Sequence, residues 1–421
     1  MHLTSNSNIS RRAFLTGTGV MALGLSGCAQ TGNTAQQLNQ QPNEQAGSTS
    51  QRTDAEEVPE SSNNNATSDD EGLVDGKLAV FDLHSDTLGR REMQDSECWQ
   101  NFLVNIGFDP SSEVGDLRQN KGALDLARMQ QLSYFQCFGI WMDTDEPAAA
   151  LAYYRKARNR FAYDIEQNNS DIAVLARPGG GKTAMQVAME AVRGGKVAAL
   201  LSIENASMIG DDLGVVDEMI SDGIVMSSLT WGGKNSLGSS PSTTDGLTAM
   251  GKQVVRKFEE GDIVVDVSHL NDEGFNDLLS IHKRPFVASH SNSRAVCNVP
   301  RNLTDDMFRA LVDMGGLAEL NLYRSYITER PAPSNGEVTF DELCAHVDHW
   351  LALGGEDVIA IGTDYDGSDV PEWIESCSQM PDLNIRLAER FGRDVVNKMF
   401  FRNAYGFLAD MSRECKLFFK A

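Results

Sequence analysis

The chain carries seven histidines, and three of them, His84, His269 and His290, stand where a run of apolar residues ends. "VFDLHSDT" closes on His84 and Asp86, "DIVVDVSH" on His269, and "PFVASH" on His290. Carboxylates occupy two more such ends: Glu204 closes "VAALLSIE", and Asp364 and Asp366 follow "VIAIGT". Taken alone, His84 and Asp86 read as a hydrogen-bonded core pair or a helix cap. The whole set does not, because a buried ionised group is costly unless it is paired or bound to a metal. Imidazole and carboxylate together suit Zn²⁺. Five or six such ligands exceed one tetrahedral site and fit two metals bridged by a carboxylate and a water.

Such side chains need elements that bring distant strand ends together. Apolar runs at residues 78–84, 134–142, 197–204, 223–230, 262–268, 286–290, 316–323 and 358–363 read as strands. Several are apolar throughout, as parallel strands covered on both faces are. Between them lie segments with helical periodicity, such as "NDEGFNDLLSIHK" and "DELCAHVDHWLALGG", with cap-like residues at Asn271 and Thr304. Eight β–α units predict a (β/α)8 TIM-type barrel, with a doubly wound open sheet as the alternative. In such barrels the chemistry sits at the C-terminal ends of the strands. His282, His346 and His349 fall on helical segments and are not expected to bind metal. "RPGGGKT" looks like a phosphate loop, but Ala176 stands where that motif needs glycine, so a surface turn is expected.

The ends and composition bound the setting. Residues 1–28 contain Arg11-Arg12, a short weakly apolar run and "LSGC". The run is too short to span a bilayer. It resembles a twin-arginine export signal ending in a lipoprotein cleavage box, with Cys28 as the lipidated residue. Residues 29–74 are polar and acidic and predict a disordered tether, leaving 75–421 for the folded domain. The expected location is the cell-surface or periplasmic side of the membrane, held by the lipid anchor alone. A net charge of −24 argues against nucleic acid as a partner. The other six cysteines show no CxxC spacing, so a cysteine zinc site is not expected; disulfides and buried free thiols both remain open.

At these residues the sequence resembles the membrane dipeptidase (renal dipeptidase) family of zinc metallopeptidases. The likeness runs over residues 77–410. It is most continuous in "GDIVVDVSHLNDEGFNDLLSIHKRPFVASHSNSRAVCNVPRNLTDDMFRALVDMGG" and extends to "FDLHSDT" and "HVDHWLALGGEDVIAIGTDYDG". The resemblance implies two Zn²⁺ ions per chain, with His84 and Asp86 on one, His269 and His290 on the other, and Glu204 bridging. It implies Asp364 as the residue handling the proton of the bridging water, which attacks the peptide bond of a dipeptide. Arg301 matches the family's arginine for the substrate carboxylate, and Tyr323 falls on an active-site tyrosine position. Trp231, in "SLTWGG", is a departure: better-known members carry a substrate-contacting histidine there, and indole is a donor only. Competing readings are another amidohydrolase-type reaction on a lactone, cyclic amide or phosphoester, and a non-catalytic surface lipoprotein. A homodimer is left open.

Overall fold

The computed structural model describes residues 72–92, 116–175, 183–330 and 337–414. The export signal, Cys28, Cys98, Cys415, the tether up to residue 71 and the glycines of "RPGGGKT" lie outside them. Ten strands are present among the described residues: β1 (Leu73–Val74), β2 (Lys77–Ser85), β3 (Ser133–Trp141), β4 (Ile172–Val174), β5 (Val197–Glu204), β6 (Ile224–Ser228), β7 (Val264–Asp266), β8 (Val287–Ala288), β9 (Leu317–Leu320) and β10 (Ile359–Ile361). β1 takes in residues 73 and 74, at the end of the tether, and pairs antiparallel with β2.

Eight strands pair in parallel around a closed ring, β2-β3-β5-β6-β7-β8-β9-β10, with β10 returning to β2. These eight are the predicted strands in the predicted order, and the fold is a (β/α)8 barrel. β4 lies beside the first half of β5 and outside the ring path. Side chains alternate between two apolar layers. One lies between the strands and the helices and includes Val80, Tyr134, Ala199, Val265, Ala318 and Ile361. The other fills the barrel, with Phe81, Phe135, Leu200, Val264, Leu317 and Ala360. At the N-terminal end of the barrel Phe401 plugs this interior, 6.5 Å from the Phe81 ring and 5.3 Å from the Phe135 ring. The opposite end is left for polar side chains.

Helices form where sequence caps allow them to start. Asn271 accepts from the backbone N–H of Gly274 and opens the helix Asp272–Ile281. Thr304 does the same for Asp305–Met314. A reciprocal Thr339–Glu342 box opens Phe340–Ala352. Cys137, Cys297, Cys344 and Cys377 are free, buried thiols, and the other cysteines lie outside the described residues.

Candidate metal centre

The C-terminal rim of the barrel gathers the strand-end residues into one site. Glu204, the last residue of β5, stands at its centre. Its Oε1 lies 2.8 Å from His269 Nε2 and 3.6 Å from His290 Nε2, and its Oε2 lies 3.5 Å from His84 Nε2. His84 Nε2 is also 3.5 Å from Asp86 Oδ2 and 3.9 Å from Asp364 Oδ1. The His84 and His290 rings stack at 3.8 Å, and the Nε2 atoms of His269 and His290 face each other at 2.9 Å. Two sets could each hold an ion: His84, Glu204 and His290, and His84, Asp86 and Asp364.

The local backbone is bent to achieve this. Phe81 and Leu83 point into the barrel, so strict alternation would turn His84 outward. The β2–β3 register shifts between Asp82 and Ser85, and His84 turns inward to meet Glu204. His269 and Asp364 take left-handed φ values of 68° and 62°, a conformation costly for non-glycine residues and concentrated at functional sites. Gly367 belongs to the same geometry: a Cβ there would sit 2.0 Å from Asp86 Oδ2 and 2.7 Å from Asp364 Oδ1.

Three buried carboxylates in one pocket make it strongly anionic. Burial disfavours charge on His84, but Asp86 and Glu204 outweigh it and hold the imidazole well above the ordinary histidine range. Burial likewise opposes charge on Glu204, yet the facing imidazoles keep it well below the usual carboxylate range. His290 is pushed well below its ordinary value by burial, then by the charges of His84 and Arg301. Burial raises Asp364 to about 7, opposed by the charge of His84 and aided by Asp86 and Glu204. His84 Nε2 and Asp86 Oδ1 are buried with no hydrogen-bond partner. Unsatisfied nitrogen and oxygen donors around a surplus of negative charge fit divalent cations.

The remaining sequence candidates divide. Trp231 and Tyr323 line the cavity of about 210 Å³ beside the cluster, together with Trp141 and Tyr326. The Trp141 and Trp231 rings meet edge to face at 4.7 Å, as do those of Tyr323 and Tyr326. Arg301 stands next to that wall and is not part of it. It donates to Ser291 Oγ at 2.5 Å and to the His290 carbonyl at 3.2 Å, with its guanidinium 5.4 Å from the Tyr326 ring centre. Asp366 turns away from the metal cluster: Thr87 Oγ1 and the Ala123 N–H donate to its two oxygens, both at 2.7 Å. His282 pairs with Glu259, His346 bridges the Ser293 N–H and the Ile327 carbonyl, and His349 meets Asp305. None of these three reaches the cluster.

Sequence reasoning passed over Trp141, Tyr326 and Asn321. Trp141 ends β3, and the strand-end rule applied to every strand would have found it. Asn321 directly follows β9; its Nδ2 donates to Asp364 Oδ2 at 3.2 Å and to the His290 carbonyl at 3.0 Å.

The sequence profile of the membrane dipeptidase family (peptidase family M19) matches residues 74–413. An uncharacterized protein from the pqqA 5′ region of Klebsiella pneumoniae is 33% identical over 165 residues, 39% of this chain and 60% of that protein. An uncharacterized dipeptidase of Schizosaccharomyces pombe is 28% identical over 203 residues, 47% of this chain and 48% of that protein. The chain thus spans less than two thirds of the length of these two relatives. A crystal structure described as the dipeptidase AC, a metallopeptidase of family M19, superposes with a TM-score of 0.67 at 25% identity, covering 79% of this chain and 98% of that one.

Proposed function

We propose that this chain, which belongs to the membrane dipeptidase family (peptidase family M19), hydrolyses the peptide bond of dipeptides at a dinuclear zinc site. The observation that carries the proposal is the placement of one carboxylate, Glu204, between His84 on one side and His269 and His290 on the other. In this reading His84 and Asp86 hold one ion, His269 and His290 hold the second, and Glu204 serves both. When bound, the ions supply a water of lowered pKa and a Lewis acid for the scissile carbonyl.

The chain's own groups would then do the following. Asp364 accepts the proton of the attacking water, with Asn321 holding its far oxygen in place. Trp141, Trp231, Tyr323 and Tyr326 exclude bulk water and bound a cavity suited to small substrates. Trp231 offers no charge to a developing oxyanion, so that position would not stabilise it as a charged group could. Metal analysis of the purified protein, then a screen of dipeptides against N-acylated dipeptides and tripeptides, tests the reading. Two ions and selective hydrolysis of free dipeptides are expected. Turnover of a lactone or phosphoester with no dipeptide hydrolysis would transfer the site to another amidohydrolase reaction.

In this reading Arg301, which stands beside the cavity and not on its wall, would reach a substrate's free C-terminal carboxylate only by releasing Ser291 or the His290 carbonyl. A charge-assisted hydrogen bond is worth about 1.5–3 kcal/mol, roughly 10- to 150-fold in kcat/KM. Arg301→Ala should lose that much on a dipeptide acid, keep its metals, and lose little on the dipeptide amide, which is already a poor substrate for the wild type. Equal losses on acid and amide would instead assign Arg301 to holding Ser291 and the His290 carbonyl.

Export by the twin-arginine route and lipid attachment at Cys28 complete the proposal, and no helix among the described residues is long and apolar enough to cross a membrane. Cys28→Ala should move an active enzyme from the membrane fraction to the soluble fraction. Unchanged membrane retention in the fractionation would remove the lipid reading.

A further inference from the structure

Ser289 lies between His290 and Asp266, the last residue of β7. Its Oγ donates to Asp266 Oδ2 at 2.5 Å and sits 2.7 Å from His290 Nδ1. Asp266 Oδ1 already accepts the backbone N–H groups of Ser268 at 2.9 Å and Ser289 at 3.0 Å. All these groups are buried: Asp266 is 4% exposed, Ser289 0% and His290 1%. Bulk solvent therefore does not reach these groups.

A serine hydroxyl has one proton. Given to Asp266, it is not available to His290, so His290 Nδ1 must be the donor in the second contact. The ring's other nitrogen, Nε2, then carries a bare lone pair toward Glu204 and His269. The ring's position is held separately. The His290 N–H donates to Ser268 Oγ at 3.1 Å, and its carbonyl accepts from Arg301 and Asn321. The backbone contacts hold the residue and the His84 ring stacks on the imidazole at 3.8 Å, and the Ser289–Asp266 pair decides where the proton is.

We propose that Asp266, acting through Ser289, is a positioning residue that locks His290 in the Nδ1–H tautomer and so keeps Nε2 available to a divalent cation. Ligand tautomers are commonly set by such outer contacts, whose loss weakens metal binding by about 10- to 100-fold. The inference rests on the proposed role of His290 as a metal ligand.

Asp266→Asn is the informative variant because it keeps the shape and reverses the hydrogen bonds. With the amide oxygen on the two backbone N–H groups, its NH₂ faces Ser289 Oγ and donates. The hydroxyl proton then turns to His290 Nδ1, and the ring proton moves to Nε2. The experiment uses the full chain stripped of metal, with ¹⁵N-labelled histidine and the His290 signals assigned by their absence in His290→Asn. Zinc affinity is measured separately by competition with a chromogenic chelator. The expected result is an Nδ1–H pattern in the wild type, an Nε2–H pattern in Asp266→Asn, and a roughly 10- to 100-fold loss of zinc affinity in the variant. Ser289→Ala, which leaves Nδ1 without its acceptor, should lose the single-tautomer pattern and also bind zinc more weakly. It carries the test alone if Asp266→Asn does not fold.

Unchanged nitrogen shifts and unchanged affinity in the folded variants would overturn the inference. So would a lower melting temperature of the metal-free variant with wild-type zinc affinity, which would make the contact purely structural. Failure of the wild type to bind zinc at all would instead overturn the metal-site reading, and the nitrogen shifts would still decide the tautomer.

Discussion

Glu204→Gln should give a folded protein that no longer retains both metal ions and has lost about a thousand- to ten-thousand-fold in kcat/KM. The reason is geometric. A single carboxylate reaches the His269 and His290 side through Oε1 and the His84 side through Oε2. Glutamine fills the same space but replaces one oxygen with an NH₂ that cannot ligate, and it removes the negative charge that both ions would share in the proposed site. Lewis-acid stabilisation of the transition state is worth several kcal/mol; a loss of about 4–5.5 kcal/mol corresponds to that rate factor. The metal-free form should be less stable than the metal-free wild type, because the facing imidazoles hold Glu204 well below the usual carboxylate range and that stabilising charge is lost. Metal content, steady-state kinetics and thermal melts of stripped protein are the measurements. A variant with two ions per chain and wild-type rates would remove Glu204 from the centre, and one with a single tightly held ion would confine it to one site.

Asp364→Asn separates proton transfer from metal binding. Asp364 combines a left-handed backbone, a contact from Asn321 to its far oxygen, and an Oδ1 3.9 Å from His84 Nε2. Burial brings its carboxyl up to about 7 within the protein-only site, and bound dications would lower it. A general base contributes typically 10²- to 10⁴-fold. The variant should lose kcat by about that factor, with KM little changed and two ions retained. Loss of one ion would make Asp364 a ligand beside His84 and Asp86, an arrangement the geometry also permits. Unchanged kcat with two ions would leave the proton to another group.

The eight barrel strands, their order and the rim at which the candidate residues gather were legible because the signals are local. A parallel strand buried on both faces must be apolar along its length, so a histidine or carboxylate at its end stands out within a few residues. The helix starts at Asn271 and Thr304 were legible for the same reason, since a cap bonds to an N–H only three residues on. The donor set followed: strand ends carrying His84, Asp86, Glu204, His269, His290 and Asp364 meet once the ring closes.

What the sequence could not carry was direction. Asp366 has the same chemistry as Asp364 two residues earlier, yet it turns to Thr87, 279 residues away, and to the Ala123 N–H. His84 faces Glu204 only because a register shift between β2 and β3 overrides the alternation that Phe81 and Leu83 establish. Arg301 stands beside the cavity rather than on its wall because Ser291 and the His290 carbonyl draw its guanidinium inward. The proton on His290 depends on Asp266, a residue on another strand that the apolar pattern of β7 gave no reason to single out. In each case hydrophobic periodicity fixed the element and its buried face, because burial is decided residue by residue along the strand. The aim of the polar side chain was decided by partners that only barrel closure brings within hydrogen-bonding distance.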